Sequence, residues 1–399
     1  MGNFEYILRR RGEKAPAPLM LTAVEQAEKT SRFHAGLPGY QPTPLVKLNG
    51  LAEKLGVGTI WVKDESKRFG LNAFKALGGS YAMGEYLAKK LGKPIEELTF
   101  EELCAPQAKR ALGDITFVTA TDGNHGRGVA WSARLLGQKS VVYMPKGSAQ
   151  ERLENIRAQG AQAEITEYNY DDAVRLANRM AQEHGWVLVQ DTAWPGYEEI
   201  PAHIMQGYTT LAREIAQQLE QAGEEKPTHL FLQAGVGSFA GAALGYFAAL
   251  WGEKRPVTAI VEPDKADCIY RSAKADDGTL RFVTGDMDSM MAGLCCGEPC
   301  TISWEILNSY ADAFISCGDE YSARGMCLLG KPQEGDETVV SGESGAVGAG
   351  VLEGIMTEER LQPLRQALGL DEHSRVLLIS TEGDTDRENY QKILAETEV

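Results

Sequence analysis

Three short stretches of this chain carry residue types that could do chemistry together. Lys75 ends the run Phe69-Gly70-Leu71-Asn72-Ala73-Phe74-Lys75. Thr121-Asp122-Gly123-Asn124-His125-Gly126 comes next, and Gly235-Val236-Gly237-Ser238-Phe239-Ala240-Gly241 third. A lysine in a helical stretch is ordinarily solvated. Lys75 has Ala73, Phe74, Ala76 and Leu77 around it, and burial favours the neutral, nucleophilic form of an amine. A neutral amine attacks aldehydes. The second stretch has more polar groups than a helix cap needs. Its amides and the Thr121 hydroxyl suit a substrate carboxylate, Asn124 can donate to a phenolic oxygen, and His125 either touches the ligand or supports it from behind. The third stretch offers backbone amides at a helix start, which form an anion site.

An amine for an aldehyde, a carboxylate-binding turn and a phosphate-binding turn are together what holds pyridoxal phosphate and an amino acid. A different reading of the third turn is a dinucleotide site, with Glu262 at the end of the following strand as the ribose-binding acid. The glycine spacing weighs against it, being one residue longer than the dinucleotide fingerprint, and a complete α/β unit precedes the turn. At Ser380-Thr381-Glu382-Gly383-Asp384, a hydroxyl of Ser380 or Thr381 is the expected partner of a pyridine nitrogen, with Glu382 the alternative.

These residues need a frame, and the sequence outlines one. Residues 115–119, 140–144, 163–166, 186–190, 229–233, 257–261 and 375–380 read as strands. Residues 126–136, 149–159, 171–184, 211–221 and 239–251 read as helices between them, with Ser148 as N-cap of the second. Such alternation predicts parallel sheets wrapped on both faces. The fold class is therefore α/β, with two doubly wound domains: residues 1–80 plus 195–399 as a large cofactor-binding unit, and 81–194 as a small substrate-side unit. Residues 121–125, 191–192, 235–241 and 380–384 all follow strands. Ligands gather at such carboxyl ends, so the site is expected in the cleft between the domains.

The remaining 399-residue composition narrows the partners. With 40 basic against 56 acidic residues the net charge is −16, which argues against nucleic acid and anionic membrane surfaces. No apolar run reaches the roughly 20 residues of a membrane span, and the N-terminus lacks the apolar region of a signal peptide; a cytoplasmic protein is expected. Seven cysteines include Cys295-Cys296-x3-Cys300, but without a paired CxxC or a nearby histidine the expectation is free thiols and no metal.

The chain resembles the fold-type II pyridoxal-phosphate enzymes, and within them the diaminopropionate ammonia-lyases most closely. The stretches that carry the likeness are 63–75, 121–131, 144–152, 190–194, 261–268, 291–294, 341–348 and 380–386. The resemblance implies α,β-elimination of 2,3-diaminopropionate, both D and L, to pyruvate and two ammonia through a Lys75 aldimine and an aminoacrylate, in a homodimer. It implies Lys75 as Schiff-base lysine, Asp122 and Asp191 as active-site acids, and 235–241 as the phosphate turn. The related serine and threonine dehydratases, the alternative reading, usually carry Ser where Asp122 stands. A carboxylate there repels a substrate carboxylate and favours a β-ammonium, which points to a diamino acid. Asp122 as a base on the face of Cα opposite Lys75 would account for use of both enantiomers.

Overall fold

The computed structural model describes residues 3–121 and 123–397. Its strands are β1 (Phe4–Leu8), β2 (Leu45–Lys47), β3 (Thr59–Asp64), β4 (Thr116–Ala120), β5 (Lys139–Met144), β6 (Gln162–Ile165), β7 (Val187–Leu188), β8 (His229–Gln233), β9 (Val257–Pro263), β10 (Ala313–Cys317) and β11 (Arg375–Ser380). They form two sheets. The larger has the order β1-β10-β9-β8-β11-β3-β2, and the smaller β6-β5-β4-β7.

The smaller sheet is parallel throughout. The larger is parallel across its five inner strands and antiparallel at both edges, where β1 pairs with β10 and β2 with β3. Every residue of β8 and of β10 is buried. Central parallel strands are covered on both faces, so they need such near-continuous apolar runs. The two edge strands and β10 were not marked by local alternation: each is only three to five residues long, and Phe4 finds its partner Cys317 far along the chain.

Three local expectations shift. The helix expected over 211–221 runs from Glu199 to Gln221 and takes Pro201 into its first turn, where a missing N–H goes unnoticed. The strand expected over 186–190 shortens to Val187–Leu188, although Val189 N still donates to the Val118 carbonyl at 2.8 Å. Ser148 does not cap the helix Gln150–Arg157; its hydroxyl donates to the Pro145 carbonyl at 2.8 Å.

The run that carries Lys75 is anchored by a buried ionic cluster. Lys63 Nζ lies 2.7 Å from Glu214, and Arg68 bridges Glu65 and Glu214, each at 2.7 Å. Burial acts to raise the Glu214 carboxyl, yet Arg68 and Lys63 outweigh it and hold the group down at about 2. The cluster fastens the turn after β3 to the long helix Glu199–Gln221. Beyond it the chain passes through Phe69 at φ 51° and Asn72 at φ 58°, conformations that cost free energy for residues with side chains. Lys75 then sits at the N-cap position of the helix Ala76–Lys90.

Candidate active site

Lys75, Thr121, Asn124, His125, Asp191, Gly235, Val236, Gly237, Ser238 and Thr381 line one cavity. Their elements belong to both sheets, so the carboxyl-end turns do converge on a shared cleft. Gly123 sits at the N-cap of the helix Asn124–Leu135, with φ 155°, and its N–H donates to the Thr121 hydroxyl at 2.9 Å. Gly241 and Ser380 are not on the cavity wall. Gly241 lies inside the helix Ser238–Trp251 where a Cβ would meet Ser303 Oγ at 2.2 Å, so its role is close helix packing. The Ser380 hydroxyl donates inward, to Ser341 Oγ at 2.7 Å and the Glu382 carbonyl at 3.2 Å. Asp122 lies outside the described residues.

The floor of the cavity holds an ion pair. Lys75 Nζ is 2.6 Å from Asp191 Oδ2, with the rings of Phe74 and Tyr208 5.5 and 5.9 Å from the amine. Burial would raise the Asp191 carboxyl, but Lys75 and then His125 more than offset it, leaving the group at about 2. It is therefore an anion at neutral pH. Its position is fixed from behind. Gln190 accepts from Thr119 Oγ1 (3.0 Å) and Ala120 N (3.1 Å) and donates to the Tyr170 hydroxyl at 2.8 Å. Tyr170 in turn reaches Asp191 Oδ1 at 3.4 Å. His125 Nε2 donates to the Val189 carbonyl at 2.7 Å.

The glycine turn after β8 fits a phosphate. Gly237 has φ 95°, and a Cβ at that position would lie 2.9 Å from Ile269 Cδ1. Among the described residues, the N–H groups of Gly235, Val236, Gly237 and Ser238 donate to no acceptor. The Ser238 hydroxyl is already used, donating to the Asp191 carbonyl. Four unsatisfied amides at a helix N-terminus form an anion cradle. Glu262, the acid of the dinucleotide reading, is committed elsewhere. It is buried and accepts from Ile269 N (2.9 Å) and Tyr270 N (2.6 Å), which caps the helix Cys268–Ala275.

Comparison with known proteins decides the family. A family model described as "Pyridoxal-phosphate dependent enzyme" matches residues 37–382. The chain belongs to the pyridoxal-phosphate dependent enzymes. Its cofactor is pyridoxal 5′-phosphate. Diaminopropionate ammonia-lyase of Salmonella typhimurium is 53% identical over 98% of this chain and 97% of that one. The crystal structure of selenomethionine-incorporated holo diaminopropionate ammonia lyase from Escherichia coli superposes with a TM-score of 0.92, at 49% identity over 99% of this chain and 97% of that chain. A probable D-serine dehydratase of Rhizobium leguminosarum is 30% identical over 56% of this chain and 52% of that one.

In this pyridoxal-phosphate dependent enzyme, two wall residues, Gln233 and Tyr170, were not singled out from the sequence, and the contacts of a third, Glu382, the alternative pyridine-nitrogen partner, are set by the fold. Gln233, the last residue of β8, donates to the Ile379 carbonyl at 2.9 Å and the Thr381 hydroxyl at 3.0 Å. Tyr170 opens a helix and reads as an amphipathic surface residue. Glu382 accepts from Asn124 Nδ2 and, at 3.0 Å, from Ser344 N. A glutamine in an apolar strand was the available clue to Gln233, since buried amides are paired. Nothing local marks Tyr170.

Proposed function

We propose that this enzyme is a diaminopropionate ammonia-lyase that converts 2,3-diaminopropionate and water to pyruvate and two ammonia. The observation that carries the reading is the Lys75–Asp191 pair at 2.6 Å on the floor of a cavity walled by the 235–238 amides. When bound, the cofactor supplies an electron sink for loss of the α-proton. The chain's own groups do the rest. Lys75 provides the amine that anchors the cofactor and, once released, a base beside Cα. The amides of 235–238 hold the phosphate. Thr121 and the 123–125 segment at a helix start receive the substrate carboxylate. Asp191, an anion at neutral pH, is placed to attract the β-ammonium that must leave as ammonia. Asp122 acts as base on the opposite face of Cα.

A serine or threonine dehydratase has no comparable need for an anion beside its leaving group, and the near full-length likeness to diaminopropionate ammonia-lyases favours the diamino acid. The test is the stoichiometry of the purified holoenzyme. Pyruvate and ammonia should appear in a 1:2 ratio from 2,3-diaminopropionate, against 1:1 from serine. Turnover of serine with none of diaminopropionate would reverse the assignment.

The working form we propose is a cytoplasmic homodimer, with residues 81–194 as the smaller, substrate-side unit. Among the described residues, no helix is long and apolar enough to cross a membrane.

A further inference from the structure

We propose that Glu382 is a positioning residue: its carboxylate clamps Asn124, on the small sheet's side of the cavity, to the loop that also carries the register of Lys75. The inference rests on the cofactor assignment above. Glu382 lies two residues beyond β11 of the large sheet, is 2% exposed and lines the cofactor cavity. Asn124 is the first residue of the helix that follows β4 of the small sheet. Asn124 Nδ2 donates to Glu382 Oε2, while Oε1 takes the N–H of Ser344, 3.0 Å away at the start of the helix Glu343–Thr357. Both carboxylate oxygens are thus fixed, and the carboxylate cannot turn to another partner without breaking a buried hydrogen bond.

The same loop is fastened to the run that presents Lys75. Phe74 N donates to the Thr381 carbonyl at 3.2 Å, and Gly383 N to the Asn72 carbonyl at 3.0 Å. Asn72 Nδ2 donates to Asp384 Oδ1 at 3.1 Å. Ala73 and Glu382 form an antiparallel bridge. A single segment, 381–384, therefore ties the Schiff-base lysine's run to the small sheet's Asn124 through one carboxylate. A primary amide has two N–H groups. Glu382 occupies one and sets the plane of the other, which is the one left for the cofactor's phenolic oxygen.

Among the described residues, several charged groups lie near Glu382 or share its cavity. Glu343 lies beside it, its carboxyl raised first by burial and then by the Glu382 charge. Arg152 is 3.9 Å from Glu343. Lys75, Asp191 and His125 share the cavity. Removing the Glu382 charge takes an anion away from this set, which makes any cation on the bound cofactor easier to deprotonate.

The test is a double-mutant cycle on cofactor binding, read by titrating apoenzyme with pyridoxal phosphate. Glu382→Ala should weaken the cofactor Kd about tenfold, the scale of a lost charge-assisted hydrogen bond. In the Asn124→Ala background the same change should cost less than about threefold, because the clamp then has nothing to hold. Equal weakening in both backgrounds, or none in either, would overturn the proposal. Glu382→Gln keeps the shape and one acceptor, so it guards against misfolding as the cause. In that variant the pH midpoint of the bound cofactor's absorbance change should move down, and an unmoved midpoint also overturns the proposal. Failure of the unaltered enzyme to turn over diaminopropionate would instead sink the functional reading and leave this cycle standing.

Discussion

At the scale of single residues, two carboxylates, Asp191 and Asp122, carry the proposed chemistry. Burial works to raise the Asp191 carboxyl, but Lys75 and then His125 outweigh it and hold the group ionised, at about 2. The sign is that of a depressed acid. Its charge is complete at pH 5 and above, so it gives no limb to the rate profile there. Asp191→Asn should lower kcat/KM about 100-fold, the lower end of what a positioned charged group supplies, and leave any acid limb above pH 5 in place. A limb that disappears with the substitution would mean the group titrates in the working range. Asp122→Asn should separate the enantiomers, with at least about tenfold more loss on one of D- and L-diaminopropionate than on the other; equal loss refutes the division of faces. Lysine and strand-end acid were legible in the sequence, because apolar neighbours and a position after a strand are local facts. Glu382 was legible only as an alternative partner of a pyridine nitrogen; its contacts with Asn124 and Ser344 were not, since those residues come from other parts of the chain and no spacing rule links them.

Elements position these residues through contacts that cross between the two sheets. The helix Tyr170–His184 begins beside the 285–298 segment. Asn169 Nδ2 donates to the Gly285 carbonyl at 3.4 Å, and Arg175 pairs with Glu298. Between them Asp171 is pushed up to about 7, first by burial and then by Glu298, although Arg175 and the Gly297 amide partly oppose this. Here the sign is that of a raised acid. The folded state favours the protonated form, so stability is highest below the unfolded value near 4 and falls as pH rises through 7. Asp171→Asn should stabilise the protein at pH 8 by about 1 kcal/mol, discounted for solvent screening, and by nothing measurable near pH 4. Denaturant melts at the two pH values check this. A gain of the same size at both would remove the titration from the explanation. Several helices and most inner strands were readable from their pattern, whereas the inner strand β10 and the helices Thr301–Tyr310, Asp319–Gly330 and Glu343–Thr357 were not. Nor were the edges β1 and β2, as runs of three to five residues carry too little periodicity.

At the scale of the molecule, two sheets with their carboxyl ends turned to a common cleft bring residues 75, 191, 235–238 and 381 around one cavity. The α/β class, the convergence at strand ends and the cofactor were all readable, since each depends on patterns a few residues long. The antiparallel edges of the large sheet, and the segment 381–384 that joins Lys75's run to Asn124, became visible only in three dimensions. The proposed homodimer belongs to this scale. Light scattering on the eluting holoenzyme should give about twice the 43.5 kDa chain mass, and a mass that stays at one chain across concentration would remove the dimer.

The covalent anchor is the claim on which the rest depends. Holoenzyme treated with borohydride, digested and mapped by mass should carry the reduced phosphopyridoxyl group on Lys75 and on no other lysine, with Lys75→Ala losing both the label and the cofactor's visible absorbance. A label on any other lysine, or an unlabelled Lys75 in active enzyme, would contradict the account.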